Sequence, residues 1–171
     1  MERSSRAFGH LLEAMMGLAC LMLLAMTLLI GADVASRNAG LGGITWSSEI
    51  CEDFLYLITL LAAPGLLRHG QHIRVDIVLR ALPVRVGWIM EWIGDLLGFA
   101  CSLYFVWYGW KVLATSYVSG AISIKTLITP EWWLLAPLPL AFLMLSIEFV
   151  FRMYRLAKAE RGPRSDAVSA S

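Results

Sequence analysis

The stretch RHGQHIRVDIVLRALPVR, residues 68–85, decides the fold, because it sets basic side chains between two long apolar segments. We call it the basic segment; its arginines and histidines are Arg68, His69, His72, Arg74, Arg80 and Arg85. The flanking apolar segments, 46–67 and 86–111, are each long enough to cross a bilayer at about 1.5 Å per helical residue. The basic segment therefore lies outside the hydrocarbon, and its charges indicate the side of the membrane that it occupies.

The composition also indicates a membrane protein. Hydrophobic residues make up 58% of the 171 and charged residues 16%, with a mean hydropathy of +0.68, which leaves too little polar surface for a soluble globule. Four apolar stretches are predicted to span the membrane as helices: about 11–34, 46–67, 86–111 and 131–154. They lack the two-residue alternation of a β-barrel strand. The sequence therefore predicts an all-α integral membrane protein, with one four-helix domain over 1–156 and a disordered tail over 157–171.

Lysine and arginine are held on the cytoplasmic side during insertion, and here they are unevenly distributed. Two precede the first span, four lie in the basic segment and five follow the fourth span, so that eleven of the fourteen fall on one side. Tryptophans agree, because one group would lie at the outer interface and a second at the inner one. These are Trp46, Trp107, Trp110, Trp132 and Trp133 outside, and Trp88 and Trp92 inside. We expect an inner-membrane protein with both termini in the cytoplasm.

Two local features leave alternatives open. The first span could be a cleaved signal peptide, since Arg3 and Arg6 precede it and small residues follow at 32–35, but its apolar core exceeds the usual length of about 7 to 15 residues. The mass of the purified protein would show whether this segment is cleaved. In the basic segment, the four-residue spacing of Ile73, Ile77 and Ala81 suits a short helix on the inner membrane surface, and an irregular basic loop is an equal alternative.

Three carboxylates interrupt the apolar runs of the third and fourth spans, where an ionised acid costs roughly 2.5 to 3.5 kcal/mol and therefore usually has a purpose. Glu91 and Asp95 are one turn apart on the third span, and Glu148 lies at a similar depth on the fourth. They could form interhelical ion pairs with nearby arginines, which would be Arg68, Arg85 or Arg152. A proton or cation relay and contacts to a partner subunit are the alternatives.

No pattern predicts a cofactor, a metal or a catalytic site. The three histidines, His10, His69 and His72, fall near the cytoplasmic ends of the spans, so none faces another at mid-membrane as haem ligation would need. His69 and His72 have the spacing of helical metal ligands, but only Asp76 accompanies them. Nucleophile–base pairs and nucleotide loops are likewise not recognisable.

Motifs around the second span resemble one family. They are ITWSSEI at 44–50, LLRHGQHIRVD at 66–76, Leu82-Pro83, Pro130-Glu131-Trp132, and the prolines Pro137 and Pro139. Over about residues 10–155 the chain resembles the small membrane subunit of tripartite ATP-independent periplasmic (TRAP) transporters. Its cytoplasmic motif would be Arg68, Gly70, His72, Arg74 and Asp76. It departs from the family pattern in the additional acids Glu52 and Asp53, in Gln71 where a glutamate is expected, and in Pro64.

The resemblance implies a role in transport. In that family a sodium gradient drives uptake of organic acids captured by a periplasmic solute-binding protein, while a large multi-helix permease subunit holds the substrate and sodium sites. The small subunit would be a non-catalytic brace in the bacterial inner membrane, with the large subunit, the binding protein and membrane lipids as partners, and with no nucleic acid.

Two sets of residues are candidate contact sites. Small residues four apart on the third span would let a helix of the large subunit approach closely: Gly94, Gly98 and Ser102. A tryptophan and an acidic patch at the outer end of the second span would dock the binding protein: Trp46, Glu49, Glu52 and Asp53.

Two rival functions come from other classes. A self-sufficient four-helix antiporter would exchange protons for cations at Glu91 and Asp95, and would transport alone in liposomes. An assembly subunit of a respiratory complex would co-purify with redox proteins. Neither accounts for the motifs between Trp46 and Asp76.

Overall fold

The computed structural model describes residues 2–68, 83–124 and 128–158, which form helices and one pair of short strands. In chain order these elements are α1 (Glu2–Asn38), α2 (Ser47–Arg68), α3 (Val84–Ser119), β1 (Ile122–Ile124), β2 (Ile128–Pro130), α4 (Glu131–Leu135) and α5 (Pro137–Lys158).

Four helical segments of the described residues are long and apolar enough to cross a membrane, which confirms the predicted four-span α-helical class. They are Phe8–Asn38, Ser47–Arg68, Arg85–Ser119 and Glu131–Lys158. The first, third and fourth of these are longer than predicted. At about 1.5 Å per residue, the 36 residues of α3 measure about 54 Å, well beyond a hydrocarbon layer of about 30 Å. The end of α3 near Ser119 therefore extends past the predicted limit of the span at residue 111.

The fourth span consists of α4 and α5, separated at Ala136. The helix begins at Glu131, the first residue of the predicted span, with Pro130 as its N-cap residue and no side chain capping the first turn. The interruption has a chemical cause, since Pro137 and Pro139 have no N–H to donate to the preceding turn. Ala136 keeps a helical conformation and its N–H bonds to the Trp132 carbonyl at 2.9 Å, so the break is local.

A small β-hairpin between α3 and α4 was not predicted. Strands β1 and β2 are antiparallel, and Ser123 pairs with Thr129. Gly120 ends α3 in the left-handed conformation, with φ of 63°. The hairpin is joined to the next helix by the Glu131 N–H, which bonds to the Ala121 carbonyl at 3.1 Å.

The helices are not packed in chain order. The extensive contacts among the described helices run from α1 to α2, from α2 to α5 and from α5 to α3, so the last helix lies between the second and the third. Close approach is possible where side chains are small: a Cβ on Gly65 of α2 would lie 2.6 Å from the Met16 sulfur of α1. The helices thus form a row in the order α1, α2, α5, α3. Large apolar side chains on its outer faces remain exposed, which suits contact with membrane lipid or with a partner protein.

Part of the prediction falls outside the described residues. The suggested interfacial helix lies there, and so do Gly70, His72, Arg74 and Asp76 of the cytoplasmic motif. Of the predicted tail over 157–171, only residues 157 and 158 are described, and they belong to α5.

Candidate functional site

The intramembrane carboxylates form a buried ion-pair network. Asp95 of α3 lies 2.9 Å from Arg152 of α5, measured from Oδ1 to Nη2. Glu148 of α5 is fully buried, and its two oxygens face Arg68 of α2 at 3.4 Å and Arg155 at 2.5 Å. The network therefore joins α2, α3 and α5.

Helical periodicity explains the pairing. Glu148 and Arg152 are one turn apart on α5, while Glu91 and Asp95 are one turn apart on α3, so each helix turns a polar face toward its neighbour. Glu91 is buried as well. Of the three arginines that sequence analysis named, Arg68 and Arg152 occupy the network, and Arg155 adds a third cation one turn further along α5.

The geometry favours a structural role for these acids. Removing a charge from water costs several kcal/mol, and a facing arginine with good geometry offsets much of that cost. In Asp95 and Glu148 the carboxylates are engaged by guanidinium groups, which do not release protons at physiological pH. This arrangement holds helices together and is poorly suited to exchanging protons for cations at Asp95.

Arg68 also links the first helix to the network. A Cβ on Gly9 of α1 would lie 2.7 Å from the Arg68 Nη2 atom, so the glycine lets this guanidinium lie directly against α1, and a larger residue would force it to shift. Nearby, the rings of Phe8 and Phe151 lie 5.7 Å apart between centroids and connect α1 to α5. The N-terminal end of α1 and the C-terminal halves of α2 and α5 thus meet around one arginine.

The predicted docking residues lie at the start of α2 but do not form a uniformly exposed surface. Trp46 and Glu52 are exposed, whereas Glu49 and Asp53 are half-buried. Glu49, Glu52 and Asp53 all make polar interactions within the protein. The exposed part of this acidic end is therefore smaller than the sequence pattern indicated.

A buried aspartate that sequence analysis did not identify holds this end in place. Asp33 accepts a hydrogen bond from the Ile44 N–H at 2.5 Å and one from the Arg37 Nε at 3.0 Å. The Ser36 hydroxyl donates to the Gly42 carbonyl at 2.6 Å. An aspartate four residues before an arginine, followed by the glycine-rich stretch 40–43, was the available signal. The loop between α1 and α2 is thus fastened to the end of α1.

The three small residues of α3 have different surroundings. A Cβ on Gly98 would overlap the Phe149 ring of α5, and Ser102 is buried, with its hydroxyl bonded to the Gly98 carbonyl at 2.8 Å. Around Gly94, by contrast, a Cβ would meet nothing within 4 Å. Gly98 and Ser102 therefore pack against residues of this chain, whereas Gly94 is the one of the three with free space beside it.

The described residues contain no group of three or more His, Cys, Asp or Glu side chains that could hold a metal ion. His69 and His72 lie outside them.

Comparison with known proteins identifies the family. A comparison with curated proteins finds no match. The family model described as "Tripartite ATP-independent periplasmic transporters, DctQ component" matches residues 26–159, which include α2, α3, α5 and the whole ion-pair network. This chain therefore belongs to the DctQ family and is a multi-pass small membrane subunit of a TRAP transporter.

Proposed function

We propose that this chain is a non-catalytic brace for the large multi-helix subunit of a sodium-driven transporter that takes up organic acids. It would lie in a bacterial inner membrane with both termini and the basic segment in the cytoplasm. The observation that carries the proposal is the buried network of Asp95, Glu148 and three arginines, which ties α2, α3 and α5 together in a member of this family.

A brace needs rigidity, and the network supports it. Breaking a buried ion pair by removing one partner typically costs about 3 to 5 kcal/mol, so relative movement of α3 and α5 is strongly opposed at Asp95 and Arg152. Acids engaged in this way are poorly placed to carry a substrate or a sodium ion. Transport sites are expected in the large subunit.

The row of helices also offers surfaces for a partner. Large apolar side chains of α1 are half or more exposed, among them Leu18, Leu21 and Leu28. On α3, Gly94 has open space beside it. Membrane helices associate through close packing of small residues, so we expect the large subunit to contact α3 near Gly94. Gly98 and Ser102 would support this face from within.

The outer end of α2 is the proposed docking site for the solute-binding protein. Trp46 and Glu52 are its exposed members, and Glu49 and Asp53 add negative charge beneath them. Transient partners are commonly steered by charge, and a fastened loop lowers the entropy cost of docking. Asp33 provides that fastening through Ile44.

Reconstitution tests the proposal. The neighbouring reading frames are expected to encode a large permease and an exported binding protein, and the three proteins would be combined in liposomes with an inward sodium gradient. We expect uptake of an organic acid with all three, no flux from this chain alone, and loss of uptake when this chain is omitted. Robust flux from vesicles holding only this chain, or full uptake without it, would contradict the proposal.

A further inference from the structure

Two grooves lie side by side along the second half of α3. The first has a volume of about 680 Å³ and is lined by residues that include Trp107, Trp110, Lys111 and Thr115. The second, of about 430 Å³, shares Lys111 and Thr115 and is completed by Glu131 of α4. The grooves are therefore separated by a ridge that carries a cation, and one of them ends at a carboxylate.

Polarity changes along this face of α3. Trp107 is 72% exposed, and the residues four and eleven positions before it, Leu103 and Leu96, are also exposed. One and two turns after Lys111 come the hydroxyls of Thr115 and Ser119. An apolar stripe thus leads, through the tryptophans, to a cluster of polar groups at the end of the span. A phospholipid has the same order of polarity from acyl chain to headgroup.

The hydroxyls can accept hydrogen bonds from a ligand. Thr115 donates its proton to the Lys111 carbonyl at 2.9 Å, and Ser119 donates its proton to the Ser116 carbonyl at 3.2 Å. A hydroxyl oxygen that donates its proton keeps lone pairs for accepting. These oxygens therefore suit a donor such as an ammonium group.

The charges favour a zwitterionic headgroup. The described residues form no ion pair to Lys111, whose ammonium can reach the interface along its flexible stem and hold a phosphate. Glu131 accepts a hydrogen bond from the Ser116 hydroxyl at 3.1 Å on Oε2 and lines the same groove as Lys111. A purely anionic headgroup would be repelled by that carboxylate, whereas a headgroup with both charges meets a partner for each.

We infer that the paired grooves bind a phosphoethanolamine lipid, with its phosphate at Lys111, its primary ammonium between Glu131 and the hydroxyls, and an acyl chain along Trp107 and Leu103. The site belongs to this chain alone and needs no transport step. Its test is therefore independent of the proposed function.

Lipid retention measures the site directly. The full-length chain would be exchanged into detergent with equal amounts of phosphatidylethanolamine, phosphatidylglycerol and phosphatidylcholine, and bound lipid would be counted by native mass spectrometry. We expect severalfold preference for phosphatidylethanolamine, a severalfold loss of all three in K111A, and recovery in K111R. In E131Q the preference over phosphatidylglycerol should disappear, while the amide oxygen still accepts from Ser116.

Matched controls change the same charges at exposed positions elsewhere, K158A on α5 and E52Q on α2. Both should retain lipid as the unaltered chain does. Equal retention of the three lipids by the unaltered chain would overturn the inference, and so would K111A or E131Q behaving like its control.

Discussion

At the scale of residues, the protein is organised by charges that sequence analysis located but could not pair. Asp95, Glu148 and Arg152 were each visible as charges in apolar surroundings. Their partners depend on the rotation of α3 and α5 about their axes, which an apolar stripe would normally reveal. Here nearly every helix face is apolar, as is usual for spans in lipid, so the sequence was compatible with several pairings of these carboxylates and arginines.

Removing Arg152 should destabilise the protein strongly. The variant R152A leaves Asp95 buried without this partner, and we expect a loss of about 3 kcal/mol or more in the free energy of unfolding. The double variant D95L/R152L removes both charges from the apolar surroundings and should recover much of that loss. Unfolding in detergent, followed by circular dichroism, measures both. A double variant no more stable than R152A would show that the two residues are not coupled.

Arg37 is the matched control, because it also pairs with an aspartate but its side chain is 62% exposed. Exposed pairs contribute at most about 1 kcal/mol, so R37A should change stability little. Asp33 keeps its bond from the Ile44 N–H in that variant.

At the scale of elements, the long helices were predictable and the short elements were not. Spans of about twenty apolar residues are identified by hydropathy, and the first residue of α4, Glu131, coincides with the predicted start of the fourth span at residue 131. Strands β1 and β2 have three residues each, too few for any periodicity to show. The fastening of the loop by Asp33 was missed because it joins Asp33 to a backbone N–H eleven residues later.

The two glycines of α3 should respond differently to leucine. G98L places a side chain where the Phe149 ring lies, so it should lower the unfolding temperature of this chain by several degrees, and F149A should partly restore it. G94L enters open space, so the isolated chain should remain as stable as the unaltered one. If α3 contacts the large subunit near Gly94, G94L should instead reduce co-purification.

Co-purification unchanged in G94L would place the contact on another face. A drop in the stability of G94L similar to that of G98L would contradict the difference in packing between the two positions.

At the scale of the whole molecule, the row of helices separates two chemical regions. The network of Asp95, Glu148 and the arginines lies in the first half of α3 and toward the C-terminal ends of α2 and α5, while Trp46 and Glu52 lie at the opposite end of α2. A substitution at the Trp46–Glu52 end should therefore affect docking of the binding protein without weakening the ion-pair network at the opposite end.

Charge reversal at Glu52 tests this separation. In E52K we expect uptake by the three-protein system to fall severalfold at limiting binding protein and to depend less on salt, because electrostatic steering is lost. Co-purification with the large subunit should not change. The control K158E reverses an exposed charge at the opposite end and should leave uptake as it is. Normal uptake in E52K would remove Glu52 from the docking site.

The position of α5 between α2 and α3 has a consequence for biosynthesis. Translation makes α3 first, and Arg152 is added to the chain 57 positions after Asp95. At about 5 to 20 residues per second, roughly 3 to 11 seconds pass before the cation is available. During that interval Asp95 cannot make this contact, so its side chain must remain near the translocon or be sheltered by a chaperone. Nascent chains arrested ahead of the final helix should accordingly be prime substrates for membrane proteases.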